Sequence, residues 1–526
     1  MGLKLNLQYL DKIKMRGRST IYIPLTEIST YTKLDGLSKE EVVTRYALLE
    51  ASHLRALSEI YRLKNENLTI AQLQLLLAEQ LDTARKETYR PKSERYKKPE
   101  SEKKKDTPKE PHKKKPSERY PNLPIKKQVI EMTPAPNCSS CGAMMTDSGM
   151  REVSEQLTVI PKKYEIIEFA KVKYRCSCHG CVTTAPTPLR IIPGSTYSDE
   201  MITDVVLSKY CDLIPIERYV AMAYRSGIDQ LPQQSLIELT HQFAIFMKPV
   251  YALIREMMLK TRVLHADETP HRMLEGSEKK SWYLWGFSTR EYCFLECHDT
   301  RSGDVASDIL QNSKCEVLIT DAYAGYGKAI RIANEGRLRS GKALIKNALC
   351  NAHARRYFHK TWPEYKEAEF YLDHYHEIYR LNKESKDKPP PIVLQLRAQM
   401  EERFTTMRTR ALDEVSQYPN ANRYGKALQY FLENYEDLTL FLSEADVSID
   451  NNLQEGLLRN HVVGRKTWYG THSPRGAETA AVLFTLVETC KLNHVNPRDY
   501  IKRLVQDMLT GKNPYTPLDF KTATPQ

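Results

Sequence analysis

No apolar run in the 526-residue chain approaches the roughly 20 residues that a membrane-crossing helix needs, so no span is expected. The N-terminus, MGLKLNLQYLDKIKMRG, breaks its apolar residues with charge and makes a poor secretory signal. Asn6 stands where a myristoylation site after Gly2 would want Ser or Thr. Cysteine is odd in number, 11, with five between 138 and 181, which speaks against a pure disulfide framework. Reduced thiols with one metal site are the better reading. A phosphate-cradling loop is also missing, because Gly325-Tyr326-Gly327 has neither the longer glycine spacing nor the Lys–Ser/Thr ending.

What is present is positive charge. Lys plus Arg exceeds Asp plus Glu by 78 − 66 = 12, which points to a polyanionic partner, DNA before an anionic membrane. The length implies several domains. Residues 1–86 form a first, helical region. Its three–four spacing through Ile60, Leu63, Asn67, Ile70, Gln74, Leu77 and Leu81 fits a coiled coil or an amphipathic helix packed on its own chain. Residues 87–130 are rich in Lys, Glu, Pro and Ser and nearly free of apolar residues until Leu123, a disordered basic linker by composition. Such a segment is either a solvated spacer or a tracker of phosphates.

Residues 131–195 carry Cys138 and Cys141 as one C-x-x-C and Cys178 and Cys181 as another, with Cys176 as a fifth candidate. Four of the five can enclose a structural Zn²⁺ with no open position, a zinc ribbon. The 36 residues between Cys141 and Cys178 are expected to form a β-hairpin that brings the turns together. Residues 196–260 read as helices. Ser226 to Pro232 before a helix starting near Gln233 looks like the turn of a helix-turn-helix, though a helical connector has the same pattern.

From 261 the pattern turns to strands: RVLHAD, SWYLWGFST, EYCFLECHD, then a short helix near 303–312, CEVLITD and IKNALC. Two of the runs fit a hairpin through Thr289, Arg290 and Glu291. A mixed sheet with packed helices follows. If the first and fourth runs are neighbours, Asp267 and Asp321 leave adjacent strand ends at one edge. Two carboxylates that close repel unless a cation lies between them, and hard oxygen donors suit Mg²⁺ or Mn²⁺. A third acid is sought in IDNNLQEGLLR, where Asp450 or Asn451 caps a helix with Leu453, Leu457 and Leu458 inward, leaving Glu455 to face the sheet. Arg459, Arg465 and Lys466 surround it with cations fit to grip phosphates. Taken singly, each acid also fits a turn, a cap or a solvated surface position.

SERY, VTTAPTP, SKYCDLIPIERY, ADETP, TDAYAGY, NAHARRYF, IDNNLQEGLLR, VGRKTWYG and VETCKLN occur in this order along the chain. Together they resemble the transposases of the insertion-sequence sixty-six family, in the Asp-Asp-Glu class. The resemblance implies a multidomain α+β protein with a ribonuclease-H-like α/β core. It places the first part of that core at 261–360, a helical insertion at 361–440 and the C-terminal core helices at 441–512, before a tail at 513–526. Asp267, Asp321 and Glu455 would be the catalytic triad and would hold two Mg²⁺ (or Mn²⁺) ions. Cys350 and His353 form a C-x-x-H that would shape the site or contact DNA, with Arg355 and Arg356 beside it. Departures from the family pattern are Gln454 and Gly456 flanking the Glu, Thr467 after GRK, THSPRGAE and the C-terminal end.

The implied function is a DNA transposase that binds terminal inverted repeats, cleaves at the element end and joins the freed 3′-hydroxyl to target DNA. Its implied setting is the bacterial cytoplasm, at the nucleoid, as a homo-oligomer and with two small accessory proteins from the same element. The rival readings are a nuclease of the same fold that cuts without joining, and a non-catalytic zinc-containing DNA-binding regulator.

Overall fold

The computed structural model describes residues 115–130 and 135–523, apart from 138, 148, 152, 161, 176, 178–180, 276–278, 280 and 419–421. The expected coiled coil, most of the basic linker and Cys138, Cys176 and Cys178 therefore lie outside the described residues. The chain falls into two units, 1–92 with 413–426, and 93–412 with 427–526. In the first, the Tyr424 hydroxyl donates to Glu414 (2.5 Å) and its ring meets Tyr418 edge-on. The sheet and the acids Asp267, Asp321 and Glu455 belong to the second.

In the cysteine-rich segment, Lys173–Arg175 pairs antiparallel with Val182–Thr184, and Asn137 bridges to Met144. Cys181 and Cys141 thus each lie between the paired residues of a separate short hairpin. The long hairpin expected between the clusters is not found: the described residues of 146–171 form no strand. Ile160 and Ile166 are 82% and 98% exposed, so the β-branched residues there have neither a partner strand nor a covering layer among the described residues.

Four helices follow: α1 Asp199–Tyr210, α2 Ile216–Arg225, α3 Gln233–Phe246 and α4 Lys248–Leu259. Ser198 starts α1 by accepting the Met201 N–H (3.1 Å), as an N-cap should. The residues 226–232 join α2 to α3 in the expected turn. Yet α3 buries Leu236, Leu239, Phe243 and Ala244 as it packs against α1 and a later helix, and it carries no Lys or Arg. It packs among helices.

The sheet contains β1 Val263–Arg272, β2 Ser281–Ser288, β3 Cys293–His298, β4 Val317–Thr320 and β5 Lys346–Leu349, in the order β3-β2-β1-β4-β5. β1, β2 and β3 are antiparallel; β4 and β5 run parallel to β1. The β2–β3 hairpin turns through Thr289 to Tyr292 as expected. One correction concerns β1, which does not end at Asp267 but continues to Arg272, paired with β2 throughout. β4 pairs with Val263 to His265 alone, so beyond Asp267 one side of β1 is open and Pro270 costs no ladder bond.

Helix α5 Asp304–Asn312 connects β3 to β4 and packs on α6 Ala324–Arg339, which connects β4 to β5. A run of helices then follows: α7 Asn351–Thr361, α8 Ala368–Glu384, α9 Pro390–Val415, α10 Arg423–Glu433 and α11 Tyr435–Thr439, the last four within the expected 361–440. Asn351, fully buried at its entry, donates through its amide to the carbonyls of Leu438 (2.8 Å) and Ile449 (3.1 Å) at its exit. Arg397 of α9 donates to the carbonyl of Val447 (2.8 Å) and also binds those of Phe441 and Glu444.

Three core helices complete the fold: α12 Asn452–Trp468 on β1 and β2, α13 Pro474–Leu492 on β3, and α14 Pro497–Leu509 on α1. The expected C-terminal tail is instead packed. Pro517–Ala523 is a helix, α15, and the Tyr500 hydroxyl of α14 donates to the Tyr515 carbonyl (2.6 Å). Gly456 lies exposed inside α12, and an added Cβ would meet nothing within 4 Å. Gly456→Ala should therefore stabilise the protein by about 1 kcal/mol, read as a higher melting temperature.

Candidate active site

Strand periodicity decides which acids meet. Asp267 pairs with Gly286 and Glu268 with Trp285, so the two neighbouring acids of β1 point to opposite faces of the sheet. Ile319 of β4 pairs with His265, and Thr320 pairs with Leu349 of β5. Continuing each register past the last pair places Asp321 level with Asp267, and Cys350 level with Asp321. Three chemically active residues thus leave three adjacent strands at one height.

The Asp267 face is covered by α12. Asn451, directly before this helix, is 1% exposed and ties it to the sheet. Its amide donates to the Ala266 carbonyl (2.8 Å), its oxygen accepts from His265 Nδ1 (3.0 Å), and its N–H donates to Cys350 Sγ (3.2 Å). Asp450 caps the first turn through the Asn452 N–H (3.1 Å). Leu457 and Leu458 are buried as expected and Leu453 only partly, while Glu455 lies against Cys350 and His353, near enough for its charge to be felt at Asp267.

The electrostatics fit a shared site. Burial, then the neighbouring Glu268, then Asp321 raise the Asp267 carboxyl to about 8, and Glu455 adds to the effect. Negative charges that oppose one another in a half-buried pocket call for a cation. Glu455 Oε1 is buried with no hydrogen-bond partner among the described residues, and so is His353 Nδ1, 3.6 Å away. Burial lowers the His353 pKa against the pull of Glu455. Arg356 approaches Glu455 Oε2 at 3.8 Å. The oxygen donors of Asp267, Asp321 and Glu455 suit Mg²⁺ or Mn²⁺ in kind, and one Glu455 oxygen is orphaned, but the three carboxylates do not gather within 4.8 Å of one another; Glu455 instead groups with Cys350 and His353.

Beside this edge, α7, α8 and the start of α12 enclose a cleft of about 400 Å³ lined by Arg355, Arg356, His359, His376, Tyr379 and Asn452. Arg459 and Lys466 are exposed on α12; Arg465 is half-buried, facing the buried His271 and His461. Cys141 and Cys181 are exposed free thiols.

Sequence reasoning missed Glu268, which the alternation sends to the α6 side of the sheet. There the Tyr326 hydroxyl donates to it (2.5 Å), as does Arg301 Nε (2.7 Å), and burial raises its pKa. The signal available was its position next to Asp267. Gln454 stands out in the sequence only as a departure from the family pattern. Its fully buried amide has no partner among the described residues and occupies the space that a Cβ on Gly286 would need. Gly286→Ala should push α12 off the sheet and cost about 1–3 kcal/mol, and the added change Gln454→Ala should recover most of that loss in denaturant unfolding.

An edge of mutually repelling acids, a basic cleft beside it and a net positive chain together describe a DNA-handling protein of the transposase class. Residues 194–479, more than half of the chain, match the Transposase IS66 family, and the chain belongs to that family. Residues 136–179 match the zinc-finger binding domain of transposase IS66, which supports a structural zinc and a transposase-related DNA-binding function. Three relatives from Sinorhizobium fredii (strain NBRC 101917 / NGR234) are themselves uncharacterized. The protein y4hP is 23% identical over 428 residues, 76% of either chain. The protein y4qI is 24% identical over 374 residues, 68% of either chain, and y4jD is 23% identical over 414 residues, 73% of this chain and 76% of its own. No described helix is long and apolar enough to cross a membrane.

Proposed function

We propose that this chain is an active DNA transposase whose ribonuclease-H-like core cleaves at the ends of its element and joins them to target DNA. The observation that carries the reading is the level alignment of Asp267 and Asp321 on adjacent parallel strands, with Glu455 on α12 close enough for its charge to act on Asp267. Three antiparallel strands followed by two parallel ones, in the order β3-β2-β1-β4-β5, support the ribonuclease-H-like assignment.

Asp267, Asp321 and Glu455 would hold a pair of Mg²⁺ or Mn²⁺ ions. Such a pair, when bound, activates an attacking oxygen and stabilises the leaving one in an in-line phosphodiester displacement. The protein's own part is placement. β1 and β4 fix two carboxylates rigidly, and Asn451 fixes the helix that brings the third. Arg355 and Arg356 neutralise the flanking phosphates, and Arg459, Arg465 and Lys466 continue this basic track along α12.

Four of Cys138, Cys141, Cys176, Cys178 and Cys181 hold Zn²⁺ and stiffen a module that reads the terminal repeats. Exposed Arg218 and Arg225 of α2 add phosphate contacts. The N-terminal region pairs protomers on DNA, and two small accessory proteins of the element assist. Pre-cleaved end DNA supplied with a target plasmid and Mg²⁺ tests the activity. Joined product is expected; cleavage without any joining would mean a nuclease, and binding alone a regulator.

A further inference from the structure

Cys350, His353 and Glu455 bring one sulfur, one nitrogen and one oxygen donor to within 4.8 Å of one another. Cys350 immediately precedes α7 and His353 lies three residues on, so both face the same side of its first turn. Glu455 enters from the first turn of α12. The His353 Nδ1 and Glu455 Oε1 atoms face each other across 3.6 Å, too far for a hydrogen bond, and both are buried and unpartnered among the described residues. Two orphaned ligand atoms over a buried thiol are what an open coordination site looks like before an ion enters it.

We propose that Cys350, His353 and Glu455 form a second metal site, for a borderline transition-metal ion of the Zn²⁺ or Co²⁺ kind, sharing Glu455 with the three-acid site. The donors set the selectivity. Mg²⁺ takes oxygen ligands and holds its waters, whereas thiolate and imidazole favour Zn²⁺ and Co²⁺. On binding, the Cys350 thiol gives up its proton to water and the thiolate sulfur becomes the ligand. Three protein ligands leave a fourth position open to solvent.

An ion bound at Cys350 and His353 engages Glu455 through Oε1, and so competes with the two aspartates for this acid. An ion on the cysteine–histidine side draws the third acid away from Asp267 and Asp321, and low concentrations of Zn²⁺ then inhibit Mg²⁺-dependent DNA cleavage until a chelator is added. This inhibitory consequence rests on the transposase reading above; the binding itself does not.

The test is a Co²⁺ titration of the full-length protein, its cysteine-rich module already filled with Zn²⁺, in the absence of DNA. One further equivalent is expected, with the near-ultraviolet charge-transfer absorption of a cobalt–thiolate bond. Cys350→Ser and, independently, His353→Gln should lose that equivalent, whereas Asp321→Asn should keep it. The proposal is overturned if the wild-type protein takes up no extra ion, if either variant still binds it with the same absorption, or if Asp321→Asn loses it, which would place the ion among the three acids. Circular dichroism of both variants excludes loss of fold as the cause. Inactive wild-type protein that still binds the extra equivalent would count against the transposase reading alone.

Discussion

Asp321→Asn should abolish metal-dependent DNA cleavage while leaving DNA binding in a gel shift unchanged. Asp321 lies level with Asp267 across two parallel strands, and its charge is one of the causes that lift Asp267 to about 8. Asn is nearly isosteric, so the strand edge keeps its shape and loses one anionic ligand. If the carboxylates hold the ions, several kcal/mol of charge stabilisation in the transition state are lost. At 1.36 kcal/mol per factor of ten, the rate falls by about 10³-fold or more. A second readout needs no DNA. In chelator the variant should be no less stable than the wild type, because a repulsive charge has been removed. Added Mg²⁺ should raise the melting temperature of the wild type and not that of the variant. Cleavage by Asp321→Asn at the wild-type rate would end the catalytic reading.

Acid should unfold the sheet and the helix α12 packed on it well before it protonates most surface carboxylates. His271 of β1 and His461 of α12 stack, with Nδ1 of the first 2.9 Å from Nε2 of the second, and the Thr471 hydroxyl lies 2.7 Å from the other His271 nitrogen. One hydrogen bond between two rings requires at least one neutral imidazole. Burial lowers His271 from 6.5 to about 4 and holds His461 well below its ordinary value too. The folded protein therefore binds protons more weakly than the unfolded chain at both sites. Their contribution is fully present above about pH 6.5 and is lost as the pH falls from there towards 4. At 1.36 kcal/mol per pH unit, His271 alone loses about 3 kcal/mol over that window, and His461 adds to the loss in the same direction. Denaturant unfolding at pH 7, 6, 5 and 4 should show this slope, and the double variant H271Q/H461L should flatten it. A flat wild-type profile would mean that the pair is hydrated in solution.

The candidate acids are legible in the sequence because parallel pairing needs continuous apolar runs, and VLIT before Asp321 is one. The hairpin at Thr289 and the leucines of α12 are legible for the same kind of reason, local periodicity. What stays hidden depends on distant chain. Thr269 and Pro270 resemble a turn that would end β1 at Asp267, whereas the antiparallel ladder with β2 carries the strand through four pairs past Glu268, to Arg272. Glu268 cannot be told from Asp267 without knowing that α12 covers one face and α6 the other. The burial of Gln454 depends on Gly286, which lies 168 positions earlier (454 − 286). Val159, Ile160 and Ile166 have strand propensity without any described strand to pair with, and propensity alone does not make a sheet.

Asn351 holds the carbonyl of Ile449, so the polypeptide leaves the core and re-enters it through what is almost a single doorway. A segment closed at its base can lengthen or shorten at little entropic cost, because closure grows only with the logarithm of loop size. The helices beyond that doorway are in this sense a replaceable annex, free to change in length while the strands that carry Asp267 and Asp321 keep their places.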